Sequence, residues 1–157
     1  MDDFIACFHR YVPQAFDFLS IDYGFQARLT SGHDQIWSYA AVEYRRPAPN
    51  GEQAIAVSYF VYRRELDVDF SEHAASGLRA CTLDDLIAVQ EGRERAWGRN
   101  KCMQGFDRGG SSAAEAAAWM ANEVRGVLGA FLASDAPTWD RISKWHLEAM
   151  QRFNSKL

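Results

Sequence analysis

The sequence predicts a single α+β domain over residues 1–157, with a roughly four-stranded antiparallel meander, an N-terminal helix, and C-terminal helices packed on one face of the sheet. Apolar and polar residues alternate mainly between about residues 25 and 70, whereas helical periodicity occupies about residues 3–19 and 82–155. Strands that cluster before a helical half are typical of α+β proteins. A chain of 157 residues also has the length of one domain.

The first elements follow from local spacing. Phe4, Phe8 and Tyr11 recur near helical spacing, and Pro13 either kinks this helix or begins a second, shorter one. Apolar residues then alternate with polar ones from Phe25 to Thr30, which predicts a half-buried strand. Three further strands are predicted, over residues 35–45, 53–62 and 65–70.

The pairing of the last two strands decides which side chains share a face. If Arg63 and Arg64 form a two-residue loop, one face of the hairpin becomes wholly apolar, as register selection favours. On that apolar face the predicted pairs are Val61–Leu66, Tyr59–Val68 and Val57–Phe70. On the other face they are Tyr62–Glu65, Phe60–Asp67 and Ser58–Asp69.

The C-terminal half is predicted to be helical. Thr82 is the expected N-cap of a short helix to about Gln90, and the capping box 112–115 predicts that a second helix begins at Ser112 and runs to about residue 132. Asp135 is expected to cap a final helix. The buried stripe predicted for that helix consists of Trp139, Ile142, His146, Ala149, Met150 and Phe153.

Composition excludes several classes of protein. A net charge of -4 argues against nucleic-acid binding and suits a basic partner. The chain has three cysteines, Cys7, Cys81 and Cys102. An odd number of widely spaced cysteines predicts reduced thiols in the cytoplasm. We find neither a signal peptide nor an apolar stretch of membrane-spanning length, so we expect no membrane association.

Catalytic and metal-binding motifs are absent from the sequence. The four histidines do not lie at metal-ligand spacing, and the chain has no nucleophile elbow. His146 is expected to be a packed, hydrogen-bonded histidine of the core. We therefore predict no catalytic residue, no metal site and no cofactor.

The candidate partner-binding site is the polar face of the last hairpin. Aromatic rings interleaved with carboxylates are unusual on a wet surface and indicate partner binding. The residues of this site are Phe60, Tyr62, Glu65, Asp67 and Asp69. In the alternative interpretation, the rings pack under a loop or helix while the acids point outward at a sheet edge.

A second candidate site lies in the basic, glycine-rich segment 91–112. Backbone amides at a helix N-terminus together with arginine and lysine side chains can hold an anion. The residues concerned are Arg99, Lys101, Arg108, Gly109 and Gly110. A solvated loop followed by a capped helix explains the same residues without a ligand.

Two segments resemble known proteins. Residues 16–25 (FDFLSIDYGF) are similar to an opening of small uncharacterised bacterial proteins, and residues 62–68 (YRRELDV) resemble their hairpin. Some proteins of this build resemble immunity proteins of bacterial toxin systems. The acidic charge, the absence of catalytic motifs and the aromatic-acidic face predict a non-enzymatic binding protein that occludes a basic toxin domain, and the resemblance favours an immunity-type role. One alternative is a small-molecule or anion-binding enzyme that uses residues 91–112. The other is a homo-oligomer, such as a homodimer, paired through the aromatic face.

Overall fold

The computed structural model describes residues 3–32, 38–49, 51–62, 65–92, 110–133 and 136–156. Five strands form one antiparallel sheet in the order β1-β2-β3-β4-β5. Their bounds are β1 Gln26–Gly32, β2 Tyr39–Ala48, β3 Gly51–Phe60, β4 Glu65–Ala74 and β5 Gly77–Thr82. The predicted α+β meander is confirmed, with one strand more than the sequence indicated.

The helices pack on one side of this sheet. Their bounds are α1 Asp3–Ala15, α2 Asp17–Tyr23, α3 Leu83–Glu91, α4 Gly110–Ala133 and α5 Ala136–Ser155. Helix α1 contacts β2 and α4, and α3 contacts β4, β5, α4 and α5. We call the helix-covered side the inner face and the opposite side the outer face. None of these helices is both long enough and apolar enough to cross a membrane.

The N-terminal helical segment breaks at Phe16 rather than at Pro13. Pro13 lies in the last turn of α1 and lacks the backbone N–H that would bond to the carbonyl of His9, so it does not begin the second helix. The ring of Phe16 is fully buried and lies 6.3 Å from the ring of Tyr44, measured between centroids. This contact fixes the junction between α1 and α2 against the sheet.

The observed register of β3 and β4 differs by two residues from the predicted one. Tyr59 pairs with Leu66 and Val57 pairs with Val68, because the connection spans residues 61–64 instead of Arg63 and Arg64 alone. Arginine lacks the positive φ preference that a two-residue hairpin loop requires. Side chains of a strand alternate between the two faces of the sheet, so a shift of two residues leaves each side chain on the same face. The apolar side chains therefore remain on the inner face and are buried there.

Three C-terminal predictions have different outcomes. Thr82 caps α3 in a capping box with Asp85, as expected. Helix α4 begins at Gly110, so the prediction of Ser112 as an N-cap is wrong. The predicted stripe of the last helix is also wrong beyond Ile142, because Met150 and Phe153 are 63% and 66% exposed and the burial on α5 is confined to its first two turns.

A buried polar network closes one end of the inner face. The fully buried Gln53 amide donates to the backbone oxygen of Phe131 at 3.1 Å. Gln53 Oε1 accepts from Arg46 Nε at 3.0 Å. The terminal carbonyls of a helix need partners outside the helix, so Gln53 connects the end of α4 to the sheet.

The hydroxyl of Tyr44 is buried without a hydrogen-bond partner among the described residues. Burial, with a smaller effect of the Asp17 carboxylate, raises the pKa of Tyr44. We expect Tyr44→Phe to increase the free energy of unfolding by about 1 kcal/mol, because an unsatisfied buried hydroxyl is removed. Urea denaturation checks this, with Tyr23→Phe at an exposed site as the control; a loss of stability in Tyr44→Phe would contradict it.

Gly51 begins β3 and lies opposite Ala74 of β4. A Cβ atom at this position would overlap the backbone oxygen of His73, and the φ of Gly51 is +153°. We expect Gly51→Ala to lower the free energy of unfolding by about 3 kcal/mol. Gly129→Ala is the control, since a Cβ there meets no atom within 4 Å, and it should raise stability by up to about 1 kcal/mol. Equal effects of the two substitutions in thermal denaturation would contradict the packing described here.

Candidate functional site on the outer sheet face

The outer face of the sheet has no helical layer among the residues that the structure describes. Its central positions carry small side chains, including Ala41, Ala56 and Ser58. The larger outer-face side chains lie toward the ends of the strands. This arrangement follows from the alternation of β-strands, because the inner positions of the same strands carry the buried core.

An aromatic cluster occupies one end of the outer face. Tyr39 and Phe60 are directly opposite each other in the register of β2 and β3, with ring centroids 5.8 Å apart. The ring of Tyr62, in the turn after β3, lies 6.2 Å from Phe60 in an edge-to-face arrangement. Phe60 is half-buried and Tyr62 is 53% exposed. The cluster therefore presents ring surface to solvent.

An acidic stripe lies beside the aromatic cluster on β4. Asp67 and Asp69 occupy alternate positions of this strand, so its register places both on the outer face, and Glu65 is two positions before Asp67. The predicted cross-strand pairs are wrong by two residues: Glu65 is opposite Phe60, and Asp67 is opposite Ser58. The predicted sharing of one face by these acids and Phe60 agrees with the register.

The acidic strand has β5 as a neighbour over only part of its length. β5 pairs with β4 from Asp69–Thr82 to Ala74–Gly77, so Glu65 and Asp67 precede the paired stretch. The alternative in which the carboxylates lie at a sheet edge agrees with this pairing at Glu65 and Asp67 and is wrong for Asp69. Asp67 is half-buried and Asp69 is exposed.

Other acids of the outer face are neutralised by arginine. Arg45 forms ion pairs with Glu43 and with Glu52, and its Nη1 lies 2.8 Å from Glu52 Oε1. Arg28 of β1 is directly opposite Glu43. Among the described residues, arginines thus accompany the acids of β1 and β2, and Asp67 and Asp69 add further negative charge on β4.

The buried thiol of Cys81 lies behind the acidic stripe on the inner face. Burial raises the pKa of Cys81 to about 12, and the carboxylates of Asp85 and Asp69 add to this effect. Cys81 is therefore a protonated, unreactive thiol at neutral pH. Cys7 is also a free thiol and is half-buried, whereas Cys102 lies outside the described residues.

Most of the second predicted site lies outside the described residues. Arg99, Lys101, Arg108 and Gly109 lie outside the described residues, and Gly110 is the first residue of α4. No group of three or more potential metal ligands is present among the described residues. The anion-binding role of this segment stays a prediction.

Sequence reasoning missed Tyr39 as a member of the aromatic cluster. The Asn50-Gly51 pair predicts a tight turn, and a tight turn fixes which residues of β2 and β3 are opposite each other. The observed register pairs Ala48 with Gly51 and Tyr39 with Phe60. Counting back along β2 from this turn therefore assigns Tyr39 to the same face as Phe60.

Comparisons with known proteins leave the family open: no family model, no curated protein and no solved structure matches this chain. The resemblance of residues 16–25 and 62–68 to immunity proteins stays a prediction. The function must therefore be argued from the outer face itself.

The raised pKa of Cys81 predicts a pH-dependent stability. In the unfolded chain the thiol ionises near pH 8.5, whereas in the folded protein it stays protonated up to about pH 12. The protonated Cys81 thiol therefore contributes its full stabilisation below the pKa of the unfolded chain. This contribution is lost as the pH rises toward the pKa of the folded protein. We expect the free energy of unfolding to fall between about pH 9 and pH 12, with a slope about 1.4 kcal/mol per pH unit steeper than in Cys81→Ala. Equal slopes in denaturant titrations of the two proteins would contradict this.

Proposed function

We propose that this chain is a non-enzymatic cytosolic binding protein that docks a basic protein domain on its outer sheet face, as an immunity-type inhibitor occludes a toxin. The observation that carries the proposal is the register of β3 and β4. In this register an aromatic cluster lies beside an acidic stripe on the face that none of the described helices covers.

The chemistry of this face suits a cationic partner. Tyr62 is exposed and held by Phe60, and tyrosines of this kind are frequent hot spots of protein interfaces. The carboxylates of Asp67 and Asp69 complement lysine and arginine side chains and would accelerate association. The net charge of -4 acts in the same direction at longer range.

Inhibition by occlusion requires no reactive group. An inhibitor that covers an active site needs a shaped, charged surface on a rigid support, and a continuous antiparallel sheet supplies one. The proposal agrees with the resemblance of residues 16–25 and 62–68 to immunity proteins. The widely spaced, unbonded Cys7 and Cys81 support the cytosol as its location.

A second copy of the chain is a less favourable occupant of this face. Self-pairing would bring two acidic stripes toward each other, and like charges repel across an interface. A basic domain encounters no such repulsion. Light scattering of the purified protein distinguishes the two cases, since a stable homodimer through the outer face would replace the proposed partner.

The test reverses the charge of the acidic stripe. The double variant Asp67→Lys plus Asp69→Lys changes the net charge by four units, and so does the control Glu115→Lys plus Glu148→Lys, whose positions are exposed on α4 and α5. Each protein is immobilised and incubated with the purified products of the neighbouring reading frames. We expect the wild type and the control to retain a basic protein that the stripe variant loses by about 100-fold or more in affinity.

A further variant separates charge from contact. Tyr62→Ala removes an exposed ring and should weaken the same complex by about 30-fold without lowering the melting temperature. If the stripe variant and the helix control lose the partner equally, only net charge matters and the docking surface is wrong. If Tyr62→Ala and the stripe variant both bind like the wild type, the outer face is not the interface.

A further inference from the structure

A cleft opens between the edge strand β5 and helix α5. Its volume is about 330 Å³, which lies within the range of small-molecule sites. The lining residues are Leu78, Arg79, Ala80, Trp139, Asp140, Ile142, Ser143 and His146. Because Leu78 pairs with His73, the cleft lies toward the opposite end of β4 from Glu65 and the aromatic cluster.

One wall of the cleft carries an oriented histidine. His146 Nε2 lies 2.7 Å from Asp85 Oδ2, and the imidazole is 48% exposed at the cleft. The same carboxylate oxygen accepts from Thr82 N at 2.7 Å and from Thr82 Oγ1 at 2.9 Å. Asp85 is thereby fixed at the start of α3 and holds the ring through Nε2, which leaves Nδ1 for a ligand. The expectation that His146 is a core histidine is wrong, although its hydrogen bond is present.

The opposite wall carries the guanidinium group of Arg79. Arg79 of β5 is half-buried at the cleft, and Glu72 of β4, which is 2% exposed, lies directly opposite it in the sheet register. Charged groups that are withdrawn from water favour a partner of opposite charge. A guanidinium group matches the geometry of a carboxylate or phosphate through two parallel hydrogen bonds.

The floor of the cleft is apolar. Trp139 and Ile142 are 7% and 3% exposed, and Leu78 at the rim is 59% exposed. These side chains can cover the hydrocarbon part of a ligand while the polar groups hold its charged end. Asp140, exposed on α5, adds one negative charge at the rim.

We propose that this cleft binds a small organic anion, a carboxylate or phosphate monoester with an apolar or aromatic body. Arg79 binds the anionic group, His146 donates a further hydrogen bond from Nδ1 in the form of the ring that carries a proton on both nitrogens, and Trp139 with Leu78 contacts the apolar part. The site is independent of the outer-face docking surface and does not require it.

The experiment uses four probes on the full chain: benzoate, phenyl phosphate, inorganic phosphate and benzylamine. Binding is followed by the shift of the Trp139 indole N–H in two-dimensional NMR spectra, assigned by its loss in Trp139→Phe. We expect saturable shifts with benzoate or phenyl phosphate, a weaker effect of inorganic phosphate, and none with benzylamine. A preference between the first two identifies the anionic group.

Matched variants locate the site. Arg79→Gln should weaken binding of the preferred probe at least about tenfold, whereas Arg141→Gln on the exposed surface of α5 should not change it. His146→Gln should weaken binding of the preferred probe about fivefold. This variant serves as the test if Arg79→Gln does not fold, because Asp85 keeps its hydrogen bonds to Thr82 in the absence of the imidazole.

Three results would overturn the proposal: no shift of the Trp139 signal by either aromatic anion at about 20 mM, equal binding of benzylamine and benzoate, or unchanged binding in the folded Arg79 and His146 variants. The outer-face variant Asp67→Lys plus Asp69→Lys should leave probe binding intact. A failure at the cleft is therefore distinguishable from a failure of the docking surface.

Discussion

The structure depends on the two-residue alternation of the β3–β4 hairpin. Val57 and Tyr59 are buried on the inner face together with Leu66 and Val68 of the neighbouring strand. Each such side chain contributes about 1.5–3 kcal/mol when it is fully buried. A slip of one residue would transfer all of them to water, so burial of the inner face also fixes which side chains occupy the outer face.

This constraint explains how much of the fold could be predicted. Alternation assigned the faces of the hairpin correctly, even though its register was shifted by two, because a shift of two conserves parity. The exact register depends on the conformation of residues 61–64, which side-chain alternation does not encode. β5 was missed because its six residues, Gly77–Thr82, combine a glycine with one β-branched residue and form a strand only by pairing with β4.

The sites illustrate the same limit. The acidic stripe follows from alternate positions of one strand and was predictable, whereas the aromatic cluster needs Tyr39 from another strand. The cleft unites Arg79, Asp85 and His146 from three elements that no local pattern connects. The apolar stripe of α5 predicted that His146 is buried. Helical periodicity shows which face of a helix is apolar, but it does not show how far along the helix that face is covered by other elements.

The two proposed sites lie toward opposite ends of the sheet, the docking face beside the aromatic cluster and the small cleft at the β5 edge. The docking face depends on the pairing of β3 with β4, which cross-strand nuclear Overhauser effects measure directly. We expect effects that connect Ser58 with Asp67 and Val57 with Val68. Effects that connect Ser58 with Val68 would contradict this pairing, because the carboxylates of β4 would then share the inner face with the helices.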